Sequence, residues 1–95
     1  MSRIERAREL QDRTKQFALR IIGAFSQLPK TEAARVIGKQ FLRSGTSVAA
    51  NYRAACRARS ATDFISKISV VVEEADETLF WLELIVGEFC GGEGC

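Results

Sequence analysis

Arg35, Lys39, Arg43, Arg53 and Arg57 are five cations set at helical intervals, an arrangement that can hold a polyanion. On an unbroken helix, at about 100° per residue, Lys39 and Arg57 lie near 40° from Arg35, Arg43 near 80° and Arg53 near 0°. They form one cationic stripe roughly 33 Å long. Upstream, Arg6, Arg13 and Arg20 recur every seven residues and share an edge of their own. Two such stripes on neighbouring antiparallel helices would suit a phosphate backbone. The competing use is internal. Residues 1–60 carry 13 Lys/Arg against 4 Asp/Glu, a local balance of +9, and the rest of the chain carries 1 Lys against 8 acids, −7. A basic first part and an acidic last part can neutralise each other inside a fold, or leave one face free for a polyanion. The two uses differ in whether the stripes face solvent or the acidic segment.

Other chemistries have less support. The chain contains no histidine, so Ser-His-Asp, Cys-His and Glu-x-x-His arrangements are excluded. No Gly-rich phosphate loop is present. Glu73, Glu74, Asp76 and Glu77 suggest a carboxylate metal site, but a charged helix face that pairs with arginines of a neighbouring helix explains them better. Arg43-Ser44-Gly45-Thr46-Ser47 is an unusual run. A glycine inside a helix costs about 1 kcal/mol relative to alanine. Hydroxyls and exposed amides could form an anion site there, but a kink or a close helix crossing through small residues is the preferred reading. The three cysteines, Cys56, Cys90 and Cys95, are an odd number and cannot all pair within one chain. Cys56 reads as a small buried hydrophobe, and Cys90 and Cys95 as reduced thiols in a flexible Gly-rich tail, since zinc needs more ligands. The expectation is no enzyme, no metal and no cofactor.

These residues must be positioned by long helices. Pro29 is the only proline, and it ends a first helix near Gln27 or Leu28. Phe17, Ile21, Phe25 and Leu28, with Ala18 and Ile22 alongside, give that helix its apolar face. Thr31 can cap a second helix, with Glu32 at its positive end and Val36/Ile37, Phe41, Val48, Tyr52 and Ala55/Cys56 inward. Ser60-Ala61-Thr62-Asp63 reads as a capping box before a third. There Phe64, Ile68, Val71, Ala75, Thr78, Leu82 and Ile85 make a heptad seam. Ile65, Val72, Leu79 and Val86 add a second row spaced by seven, so this helix needs more than one neighbour. The expected helices are 3–28, 32–59 and 61–89, with an irregularity at Ser44–Gly45, in an all-α antiparallel up-and-down bundle.

Several segments carry a resemblance. Phe17-Ala18-Leu19-Arg20-Ile21-Ile22, Leu28-Pro29-Lys30 and the run from Gln40 to Arg53 resemble the bacterial four-helix bundle family named for 23S rRNA intervening sequences, also labelled S23 ribosomal proteins. So do Ala58-Arg59-Ser60, Asp63-Phe64-Ile65-Ser66-Lys67 and the run from Glu74 to Leu82. The resemblance covers most of residues 10–86. It implies a bundle without catalytic residues and, by analogy, association with RNA. A more distant relative, the accessory variability protein of diversity-generating retroelements, is a basic pentameric barrel, and by that analogy a homo-oligomer, a pentamer, is expected. The chain departs from the family at Ala54, where Glu is usual. It also departs after residue 90, where the family continues into a fourth amphipathic helix. The fold implied is therefore a four-helix bundle lacking most of its last helix, that helix being either lost or cut short.

The remaining bulk properties fit. Ninety-five residues read as one domain, 1–95, and a 46% hydrophobic content is enough for a core. No apolar run approaches the roughly 20 residues of a membrane helix, and the first residues lack the apolar core of a signal peptide. The expectation is a cytoplasmic, non-catalytic accessory protein, without a membrane partner, that contacts RNA through Arg13, Arg20, Arg35, Lys39, Arg43, Arg53 and Arg57. The alternative is a protein–protein assembly module whose arginines are structural.

Overall fold

The computed structural model describes residues 1–90. Three helices follow one another: α1 (Arg3–Ser26), α2 (Glu32–Ala55) and α3 (Ala61–Phe89). Each N-terminus is closed by a side-chain oxygen that accepts an otherwise orphaned backbone N–H. Thr31 Oγ1 accepts from Ala34 N at 3.2 Å and Ser60 Oγ from Asp63 N at 3.0 Å, as their positions predict. Asp63 does not complete the reciprocal half through its carboxylate, which holds Lys67 Nζ at 2.6 Å instead. A full capping box forms instead at Ser2 and Glu5.

Two expectations are corrected. α2 ends at Ala55, four residues early, because Arg57 N and Ala58 N bond to the carbonyls three residues back and tighten the chain into a turn before Ser60. The helix is also unbroken through Ser44 and Gly45. Gly45 lies instead at a close helix crossing. A Cβ added to it would stand 2.7 Å from Ile21 Cγ2, and one on Gly38 would stand 2.8 Å from Leu28 Cδ1. These two glycines, seven apart, let α1 settle onto α2.

α2 is the central element. It packs against α1 on one side and α3 on the other, while no residue of α1 comes within 8 Å of α3, Cα to Cα. Ile21 of α1, Phe41 of α2 and Ile85 of α3 meet in the core, with Leu28, Ile37, Leu42, Trp81 and Phe89 packed around them. The polar members of the interior are satisfied locally. Ser44, fully buried, donates to Phe41 O at 3.3 Å, and Thr78 donates to Glu74 O at 2.7 Å. The result is an elongated body of 46 × 24 × 20 Å. None of its described helices is long and apolar enough to cross a membrane.

Candidate nucleic-acid interface

The cations of α2 divide into two groups. Arg43 reaches across to the acidic helix. Its Nη1 donates to both carboxylate oxygens of Glu74 at 3.3 Å, and its Nη2 donates to Glu77 Oε1. These hydrogen bonds, Glu74's first, raise the Arg43 pKa further above its ordinary value. Glu77 is held below the usual carboxylate range, chiefly by Trp81 Nε1 donating at 3.2 Å and then by Arg43. The acidic run of α3 thus serves Arg43, as a paired helix face would.

Arg35, Lys39 and Arg53 behave differently. All three are exposed, and none forms an ion pair among the described residues. Arg57, also exposed, stands in the turn just past α2. The wheel explains the division: Arg43 is the cation farthest around from Arg35, and that edge is the one α3 occupies.

α1 contributes cations that sequence reasoning missed. Arg8 and Lys15 line an open cleft of about 530 Å³ with Gln11, Asp12, Ala49, Ala50 and Arg53. Beyond the opposite end of α1, Lys30 and Arg35 line a second cleft of about 350 Å³ with Phe25, Ser26, Leu28, Pro29 and Ala34. Between these ends the face carries no charge. Leu19 and Ile22 lie on the Arg8–Lys15 edge of α1, at 49% and 45% exposure, and Leu42, Thr46 and Ala49 fall on the stripe of α2. The signal for Arg8 and Lys15 was their seven-residue spacing, the same as that of Arg6, Arg13 and Arg20.

Arg13 and Arg20 are not joined to this face. They line the opposite edge of α1 with Gln16, Phe17, Ile21 and Ala24. Arg13 also borders a groove in which Leu10, Thr14 and Phe17 of α1, Val48 of α2 and Ala75 of α3 come together. This groove is the space between α1 and α3. Its α3 wall continues Ala75 with an apolar row that remains exposed: Phe64, Val72, Leu79, Leu82 and Val86. Heptad positions expected to be covered, Phe64 and Leu82 among them, are thus open at this wall.

Cys56 is half-buried and Cys90 is exposed, both as free thiols. Cys95 and most of the Gly-rich tail expected at 90–95 lie outside the described residues.

Comparison with known proteins agrees with this architecture. The model of the family described as 23S rRNA-intervening sequence protein matches residues 6–88. A solved structure from Bacteroides thetaiotaomicron VPI-5482, a protein with unknown function from the S23 ribosomal protein family, is 42% identical. The match covers 83% of this chain and 74% of that one, with a TM-score of 0.77. Among curated proteins, none matches the chain.

Proposed function

The chain belongs to the 23S rRNA-intervening sequence protein family, and from that premise we propose that it is a non-catalytic accessory protein that associates with RNA through the outward cations of α2. The observation that carries this reading is the division of those cations. Arg43 is engaged by Glu74 and Glu77, whereas Arg35, Lys39, Arg53 and Arg57 stand exposed on the same helix and the turn after it. Unpaired guanidinium and ammonium groups in a row attract a polyanion, and guanidinium forks suit phosphate oxygens. The aromatic residues of α2, Phe41 and Tyr52, are buried, so that helix offers no platform on which bases could stack. Contacts are therefore to phosphates, with weak sequence preference and a steep dependence on salt.

The test is a double charge reversal, Arg53→Glu with Arg57→Glu, with helicity and RNA affinity measured at two salt concentrations. Intact helicity with affinity lowered by at least about tenfold at low salt supports the reading. Unchanged affinity excludes this face.

A second reading, self-association, has its own observation. The apolar row of α3 and the groove beside it form a continuous exposed surface, of the kind that marks an interface. Assembly into a homo-oligomer, a pentamer by analogy, would cover it. It would also repeat the cationic face and raise avidity without new contacts.

A further inference from the structure

We infer that the basic face is shaped for double-helical RNA rather than for a single strand; the inference rests on the RNA reading above and specifies its substrate class. The cations on this face do not form a continuous track. They gather at two ends, Lys30, Arg35 and Lys39 at one and Arg8, Lys15 and Arg53 at the other. Arg35 and Arg53 are separated by eighteen residues of unbroken helix, a rise of about 27 Å. The cation that would have filled the gap on α2, Arg43, is turned away to Glu74 and Glu77. Leu19, Ile22 and Thr46 occupy the waist instead.

A single strand carries its phosphates without interruption, so a neutral waist would leave the middle ones uncompensated. Single-strand sites also recruit exposed aromatic side chains for stacking; Phe41 and Tyr52 are buried, and the aromatic that borders this face, Phe25 in the Lys30–Arg35 cleft, is half-buried beside Gly38. A duplex has the complementary pattern. It offers phosphate ridges separated by a groove, and the A-form minor groove is wide and shallow, displaying sugar hydroxyls and base edges rather than phosphates. Lys39 and Arg53, the inner cations of the two ends, lie fourteen residues apart on α2, a rise of about 21 Å, wide enough to straddle a broad groove and set one phosphate ridge at each end. Asp12, in the cleft with Arg8 and Lys15, faces the same side. It offsets part of the positive charge at that end, where Arg8, Lys15 and Arg53 still outnumber it.

The experiment compares four probes by fluorescence anisotropy at two salt concentrations. They are an RNA duplex of about 20 base pairs, longer than the about 16 that duplex-binding modules span, an RNA hairpin with a stem of about 6 base pairs, a single strand of matching length without self-pairing, and a DNA duplex. The long RNA duplex should bind at least about tenfold tighter than the hairpin or the single strand, with the steeper salt dependence. Arg35→Glu with Lys39→Glu, or Arg53→Glu with Arg57→Glu, should each reduce the long duplex to the level of the hairpin. The unmodified protein alone can overturn the inference. Equal or tighter binding of the single strand, the hairpin or the DNA duplex removes duplex RNA as the ligand class and leaves the broader reading standing. Failure of every RNA to bind removes both.

Discussion

Gly45 sits where two opposing effects can be weighed. Replacing it with alanine recovers about 1 kcal/mol of helix propensity. The new Cβ, however, meets Ile21 at its Cγ2, Cγ1 and Cβ atoms, 2.7 to 3.1 Å away. A β-branched side chain has little freedom at these positions, and overpacking of this kind costs about 1–3 kcal/mol. The clash wins, and Gly45→Ala should lower stability in urea unfolding by on the order of 1 kcal/mol. Gly38→Ala provides the contrast: its Cβ would meet the flexible end of Leu28 at 2.8 Å and the edge of the Phe25 ring at 3.1 and 3.2 Å, which need yield only a few tenths of an ångström, so it should cost less than Gly45→Ala. The carboxylates give a second expectation at this scale. Glu77, held low by Trp81 and Arg43, Asp63, held low chiefly by Lys67, and Glu5, held low by Ser2, all have folded-state pKa values below their ordinary ones. Their contribution is complete above the ordinary carboxylate range and is lost as the pH falls through the lowered values. Urea midpoints should be level from about pH 7 to 5 and decline below about pH 4.5. Glu77→Gln should flatten part of that decline, and a midpoint that rises on acidification would contradict it.

Most of each helix was legible in the sequence, for physical reasons that differ by element. The starts of α2 and α3 were written in Thr31 and Ser60, whose hydroxyls have nothing better to accept than the first backbone amides. The end of α2 was not, because Ala54-Ala55-Cys56-Arg57-Ala58-Arg59 contains no helix breaker; the turn is imposed by the need to bring α3 back onto α2. The cationic edge of α1 was legible only in part. Arg6, Arg13 and Arg20 have the right period, but so do Arg8 and Lys15, and the choice depends on how α1 is rotated about its axis. That rotation is fixed by Ile21 and Leu28 seating on Gly45 and Gly38, a contact between elements that no single segment encodes. The wheel places Arg43 on the stripe because it gives bearings without reach, and a long guanidinium at the edge can turn to Glu74 and Glu77. On α3 the row spaced by seven was identified from sequence, and it remains exposed, with Val72 at 61% and Leu79 at 53%. If this row is an interface, Val72→Lys with Leu79→Lys should convert an associating protein to a monomer without loss of helicity. Sedimentation of the unmodified protein as a monomer at about tens of micromolar would exclude the idea.

The whole molecule separates its surfaces by chemistry. With α2 between them, α1 and α3 stay apart, leaving an apolar groove on one side and the two-ended basic face on another. Binding of RNA on the basic face and assembly through the groove would therefore not compete. The net charge of +2 conceals this arrangement, because the acids that offset the cations lie mostly on α3 and are partly engaged by Arg43. Mapping amide shifts by NMR during titration with RNA locates the contact surface on the molecule, since it reports every residue at once and needs no substitution. Shifts should concentrate at Arg8, Lys15, Arg35, Lys39, Arg53 and Arg57, leaving Arg43 and the apolar row of α3 quiet and weakening together as salt is raised. Shifts centred on Phe17, Leu79 and Leu82 in the α1–α3 groove, or none anywhere, would contradict RNA binding on the basic face.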